Sequence, residues 1–203
     1  MPPAPSTRDA LPADARAVLH FWFGAPGSAL HGQRRPEWWQ KDPAFDADIR
    51  SRFGDLIERA LRGELADWRA RADSALAQVL VLDQLTRNAF RDTPRAFAGD
   101  ERAFAAARAM VDSGQDEALP PVPRAFVYMP FEHSESLAAQ DEGVALFERL
   151  AALSPEHAEQ VDYARRHRAI IARFGRFPHR NRILGRVSTP EEKAFLLQPG
   201  SSF

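Results

Sequence analysis

Cysteine is absent from the 203-residue chain, which excludes a disulfide framework and any thiolate metal site and suits a reducing cytosol. Lysine is scarce: Lys41 and Lys193 stand against 25 arginines. A GC-rich genome is the plain source of that bias. Long apolar runs are missing too. VLVL at 79–82 falls far short of the roughly 20 residues a membrane-spanning helix needs. The opening MPPAPSTRDALPADA has no apolar segment of signal-peptide length. These absences predict a cytoplasmic protein with no membrane partner, a flexible stretch over 1–10 and a single domain over 11–203. A 44% hydrophobic content beside 27% charge argues against wholesale disorder.

Acidic residues are missing from one window. Between Asp162 and Glu191 there are none, yet eight arginines occur, at 165, 166, 168, 173, 176, 180, 182 and 186. The whole chain carries −1, so with +8 in this window the remainder carries −9. The densest part is RFGRFPHRNRILGR, 173–186. Guanidinium forks at that density call for carboxylates or phosphates. A pI near 6.6 speaks against nucleic acid as the partner.

What is present is helical periodicity. Apolar residues recur at spacings of three and four, and strand-like alternation is hardly seen. DPAFDADIRSRFGDLIERALRG is the clearest case, with Asp42 as N-cap, Pro43 in the first turn, one stripe through Phe45, Ile49, Phe53, Leu56, Ile57, Ala60 and Leu61, and Gly63 as terminator. The same grammar predicts helices near 12–23, 74–90, 100–113, 121–129, 134–152, 155–174 and 190–197, the last opened by a Thr189–Glu192 capping box. Short connections imply antiparallel neighbours. The expected fold is all-α, a single-domain array of antiparallel helical hairpins, although no two-helix repeat aligns within the sequence.

Three polar stretches fall where core is expected. In LVLDQLTRNAFR, 80–91, Asp83 lies on the apolar face of Leu76. Asp83, Arg87 and Arg91 follow at steps of four, with Gln84 and Asn88 beside them. A lone buried carboxylate costs several kcal/mol, so Asp83 needs a cation, and Arg87 at i+4 is the nearest. The arrangement is either an ion pair fixing helix register or a pocket wall. In YMPFEHSE, 128–135, Pro130 is expected to break or kink a helix. That leaves Glu132, His133, Ser134 and Glu135 at a junction, where Ser134 or Ser136 caps the next helix or the acids and imidazole do acid–base work. No metal is expected, because neither Glu-x-x-His nor His-Glu-x-x-His spacing occurs. In the third stretch, His167 faces the core from its helix, and Arg176, His179, Arg180 and Asn181 follow on a loop stiffened by Pro178. Folding this loop over the first two stretches would match part of its charge with Asp83, Glu132 and Glu135 and leave a small cationic pocket. Trp22, Trp38 and Trp39 read as core, with Trp39 beside Lys41 as an alternative edge to a ligand site.

HFWFG, WWQKD, LDQLTRNAFR, YMPFEHSE and RHRAIIARFGRFPHRNRILGR, in that order over about residues 15–200, resemble the bacterial family catalogued as domain of unknown function 924. The resemblance implies an all-helical, tetratricopeptide-like fold and no established activity. It covers Asp83, Gln84, Arg87, Asn88 and Arg91; Glu132, His133, Ser134 and Glu135; and His167, Gly175, Arg176, Phe177, Pro178, His179, Arg180 and Asn181.

Two functions fit these residues. In the first, the array binds a small anionic ligand or acidic peptide, with Asp83, Gln84, Arg87, Asn88, Arg91, Ser134, Arg176, His179, Arg180 and Asn181 around it. In the second, an enzyme of hydrolase or transferase type acts on a phosphorylated or carboxylated metabolite. Its base is His133 or His167, its acidic partner Glu132 or Glu135, and Arg176 and Arg180 hold developing charge. Neither needs a cofactor, and the sequence sets no oligomeric state.

Overall fold

The computed structural model describes residues 11–202; the expected flexible stretch over 1–10 lies outside the described residues. Every regular element among the described residues is helical. Helix α1 (Ala13–Phe23) buries Ala15, Val18 and Trp22. Helix α2 (Pro43–Leu61) starts as expected, the Asp42 carboxylate accepting from the Ala44 and Phe45 N–H groups at 2.9 and 3.1 Å. Ile49, Phe53, Leu56, Ile57 and Ala60 are buried along it.

The centre of the fold is a helix enclosed on all sides. Helix α3 (Ala72–Leu80) packs on α1, α5 and α6 and continues through a π-helical turn, 81–85, into α4 (Thr86–Ala89), which packs on α2. Every residue from Ser74 to Thr86 is buried. In the π turn the Val81 carbonyl accepts from both the N–H and, at 2.8 Å, the hydroxyl of Thr86. The i to i−5 bond puts an extra residue into the ladder. A strict 3.6-residue period therefore stops here, and the expected stripe of Asp83, Arg87 and Arg91 does not hold together as one row.

Helix α5 (Asp100–Asp112) approaches this turn closely because Gly99 precedes it: a Cβ at Gly99 would overlap the Leu82 carbonyl. Helices α6 (Pro121–His133), α7 (Leu137–Leu153) and α8 (Ala158–Phe174) then pack each on its predecessor.

Helix α6 corrects the expectation at Pro130, since it runs past the proline to His133. Pro130 withdraws one donor from the ladder, but it is buried in a helix held on both sides by α5 and α7. Packing of this kind outweighs local propensity. Glu132 and His133 thus belong to the last turn of α6, and only Ser134 and Glu135 lie in the connection. Ser136 takes the N-cap position of α7 without a side-chain bond, and Ser134 Oγ accepts from the Ser136 N–H at 3.2 Å, so neither serine caps the helix directly.

Helix α8 ends at Gly175 with φ 67°, as its sequence requires. Beyond it, Ile170, Ile171 and the fully buried Phe177 form a small apolar cluster that Phe195 of α9 (Pro190–Leu196) covers. The capping box of α9 is present in both directions, at 2.7 and 3.1 Å. No helix among the described residues is long and apolar enough to cross a membrane.

Candidate functional site

Asp83, in the π turn, is fully buried and surrounded by donors. Its Oδ1 lies 2.6 Å from His133 Nδ1 and 3.4 Å from Arg87, and its Oδ2 accepts from Gln84 Nε2 at 2.6 Å. A carboxylate at that distance fixes the proton on His133 Nδ1 and leaves Nε2 as the basic atom. Burial opposes ionisation of Asp83, but His133 and Arg87 outweigh it and hold its carboxyl below the usual range. Arg87 is shared: it also reaches Asp100 at 2.9 Å. Asp100 in turn holds Arg180 at 3.1 Å, while Arg180 donates to the His133 carbonyl at 3.0 Å. One carboxylate at the start of α5 therefore bridges two guanidinium groups 93 positions apart in the chain.

These groups line a cavity of about 580 Å³. Of the residues expected at a site, Gln84, Arg87, Asn88, Arg91, Glu132, His133, His167, His179 and Arg180 reach it. Asp83 sits behind His133 and supports it from outside. The lining also has an apolar and aromatic part, with Trp38, Trp39, Phe126 and Met129. Trp22 and Trp38 are core as expected, whereas Trp39 is half exposed and stacks on Phe126, ring centroids 6.2 Å apart. It stands on the cavity wall with Lys41, the alternative that the sequence left open.

Within the cavity the imidazoles are held neutral. Burial takes His167 down to about 3, with His133, Arg180 and His179 adding repulsion against the pull of the Tyr163 carbonyl. His179 falls to about 4 through burial, then Arg180 and Arg87. His133 is lowered by burial and Arg87 in spite of Asp83. Arg180 itself is brought down to about 10, first by burial and then by Arg87. Glu132 behaves in the opposite sense. It is buried, its Oε1 has no hydrogen-bond partner, and burial together with the charge of Asp83 pushes its carboxyl well above the ordinary value. Both influences favour the neutral carboxylic acid form of Glu132, which pairs with no arginine among the described residues.

The rest of the C-terminal loop meets other partners. Arg176 is bound in bidentate fashion by Glu192, at 2.6 and 2.8 Å, and lies off the cavity. Arg186 takes Glu135 at 2.7 and 3.0 Å, and Glu135 also accepts from the Phe177 N–H. Asn181 ties Ser188 and Arg186 together, at 3.0 and 2.9 Å. Arg173 reaches Glu191. Ser134 contributes its carbonyl to Gln140 at 2.7 Å. So Ser134, Glu135, Arg176 and Asn181 build the frame around the cavity and not its wall.

The expected matching of loop arginines by Asp83, Glu132 and Glu135 holds for Glu135 with Arg186. Asp100 takes Arg180 and the acids of α9 take Arg173 and Arg176, because helix ends close in sequence or space offer carboxylates at lower desolvation cost than the core does. Arg91 likewise leaves the Asp83 row for Asp46 of α2, at 2.7 and 3.0 Å. Asp100 is the residue that sequence reasoning read only as a helix start. Its signal was an acid directly after a glycine, at the positive end of a helix.

No group of three or more histidine, aspartate or glutamate side chains among the described residues is placed to hold a metal ion. No curated protein matches the chain. The solved structure of a protein of unknown function, ATU0120 from Agrobacterium tumefaciens, superposes with a TM-score of 0.78 at 40% identity, over 90% of this chain and 96% of that one. The family model described as bacterial protein of unknown function (DUF924) matches residues 18–200. With nearly the whole sequence matched, the chain belongs to the DUF924 family.

Proposed function

We propose that the cavity binds a small organic anion, a carboxylate or phosphate carried on an apolar body. The observation that carries this reading is Arg180. It is 6% exposed, its guanidinium lies 4.7 and 4.5 Å from the Phe97 and Phe177 ring centroids, and its Nε lacks a partner while the residue lines the cavity. Its carboxylate partner, Asp100, is divided with Arg87. Arg87, partly buried and also paired with Asp83, shares Asp100 with Arg180, and its repulsion adds to burial in lowering the pKa of Arg180. A ligand anion relieves that repulsion in a setting where charge is weakly screened. Trp39, Phe126 and Met129 take the apolar body. The volume suits a metabolite or the end of a peptide, and an extended polymer does not fit it.

The test uses 3-phenylpropanoate, phenyl phosphate and inorganic phosphate, read by thermal shift and tryptophan fluorescence. An organic anion should raise the melting temperature saturably and perturb the emission of Trp38 and Trp39. Arg180→Gln should abolish both responses while keeping a cooperative unfolding transition. Absence of any response in the wild-type protein at millimolar anion overturns the reading.

A further inference from the structure

The anion reading leaves two features of the cavity unused, and they are chemically complementary. His133 is a neutral imidazole whose Nδ1 is committed to Asp83 at 2.6 Å, which directs its basicity to Nε2. Glu132, next to it in the last turn of α6, is a buried acid with an oxygen that has no hydrogen-bond partner among the described residues. A buried unpartnered carboxyl oxygen costs stability. Nothing in the fold recovers that cost, whereas a bound group accepting its proton would.

Resting on the anion reading, we infer that His133 and Glu132 act as base and acid in enolising a carbonyl compound held through its carboxylate by Arg180.

The step balances within the site. His133 Nε2 removes a proton from the carbon next to the carbonyl. The C–H electron pair becomes the new C=C bond, and the carbonyl π pair moves to oxygen, which takes the proton of Glu132. Reversal returns both protons, and no oxidant, reductant or further reactant enters. Asp83 is a positioning residue. It touches His133, holds its tautomer and stabilises the imidazolium formed during transfer. Two carboxyl groups in contrasting environments, one ionised behind the base and one kept as the acid, is the division of labour that such chemistry requires. A 2-oxo acid with an apolar tail joins the three demands: carboxylate at Arg180, carbonyl at Glu132, tail against Trp39 and Phe126.

The experiment is deuterium wash-in at C3 of 2-oxo-4-phenylbutanoate in D2O, followed by proton NMR with the full-length protein. Exchange should exceed the rate without protein, and His133→Gln should lower it about a hundredfold, the usual share of one acid–base group. Glu132→Gln, nearly the same shape, should lower it to a similar extent while 3-phenylpropanoate still raises the melting temperature.

Asp83→Asn should slow exchange and move the acidic limb of its pH profile to lower pH, since Asp83 raises the His133 pKa against burial and Arg87. The other groups around that imidazole are Asp100 of α5, His167 of α8 and, from the C-terminal loop, His179 and Arg180, and all remain in the variant. A purely structural Asp83 would leave the limb in place, which counts against the inference. Stabilisation by 3-phenylpropanoate without exchange above that of His133→Gln overturns the inference and leaves the binding reading standing. Failure of every anion to stabilise the protein overturns the binding reading itself.

Discussion

Asp83 and His133, 50 positions apart, meet at 2.6 Å where the π turn of the central helix touches the last turn of α6. Each needs the other. Asp83 is fully buried and gains a second hydrogen-bonding partner beyond Arg87. His133 gains a fixed tautomer. Packing of α6 on the central helix makes the contact, and α5 crosses the π turn closely enough to bring Asp100 beside Arg87 and Arg180, so that part of the polar layer depends on one tight crossing.

That crossing is at Gly99. A methyl group there would collide with the Leu82 carbonyl, a backbone atom that cannot swing away. Gly99→Ala should destabilise the protein by about 3 kcal/mol, the upper part of the usual range for overpacking, as measured by urea unfolding. The same variant should weaken anion binding, because displacement of α5 carries Asp100 away from its two arginines. A stability change within experimental error would mean that the crossing relaxes freely.

Acid sensitivity follows from the histidines. In the unfolded chain each titrates near its ordinary value of 6.5, while in the fold His167 is lowered to about 3 and His179 to about 4. Between pH 6.5 and about 4 the unfolded state therefore holds more protons, and stability falls as the pH falls. The melting temperature should decline from pH 7 to pH 5. His167→Gln should flatten that decline, and an unchanged slope would place the acid sensitivity elsewhere.

Glu132 contributes with the reverse sign. Its folded pKa lies well above the ordinary 4.5, so its contribution is complete below that value and is lost as the pH rises toward the folded pKa. Glu132→Gln removes the loss. The variant should match the wild type near pH 4.5 and become progressively more stable than it by pH 8, in thermal melts across that range. A difference that does not vary with pH would mean that Glu132 ionises normally.

The two trends also bear on what the sequence discloses. Asp42, the Thr189–Glu192 box and Gly175 are local devices, each satisfied by residues within a turn, and all are readable without coordinates. The need of Asp83 for a cation was equally readable, because charge in an apolar row demands one. The identity of its closest partner was not. His133 arrives through the packing of α6 on α3, and its position depended on helix continuing past Pro130, where propensity argues for a break. The π turn hid the rest: a period of 3.6 applied across Val81–Leu85 puts Arg91 with Asp83, when it bonds to Asp46. Buried throughout, that turn shows no apolar–polar rhythm from which its extra residue could be read.

Arg176 and Arg180 were equivalent in sequence, and the fold separates them. Arg180 is buried on the cavity wall with Asp100, while Arg176 lies outside it, held by the Glu192 of the α9 capping box. Arg176→Ala removes a partner from a carboxylate that still accepts from the Thr189 N–H and from Asn181. It should lower the melting temperature modestly, through looser docking of α9, and leave the affinity for 3-phenylpropanoate within twofold of wild type. Arg180→Gln should do the converse to affinity. Measuring both variants in one titration series distinguishes a cavity site from a diffuse arginine patch: equal losses would mean that the anion is held by the loop's overall charge, and strong salt dependence would accompany them.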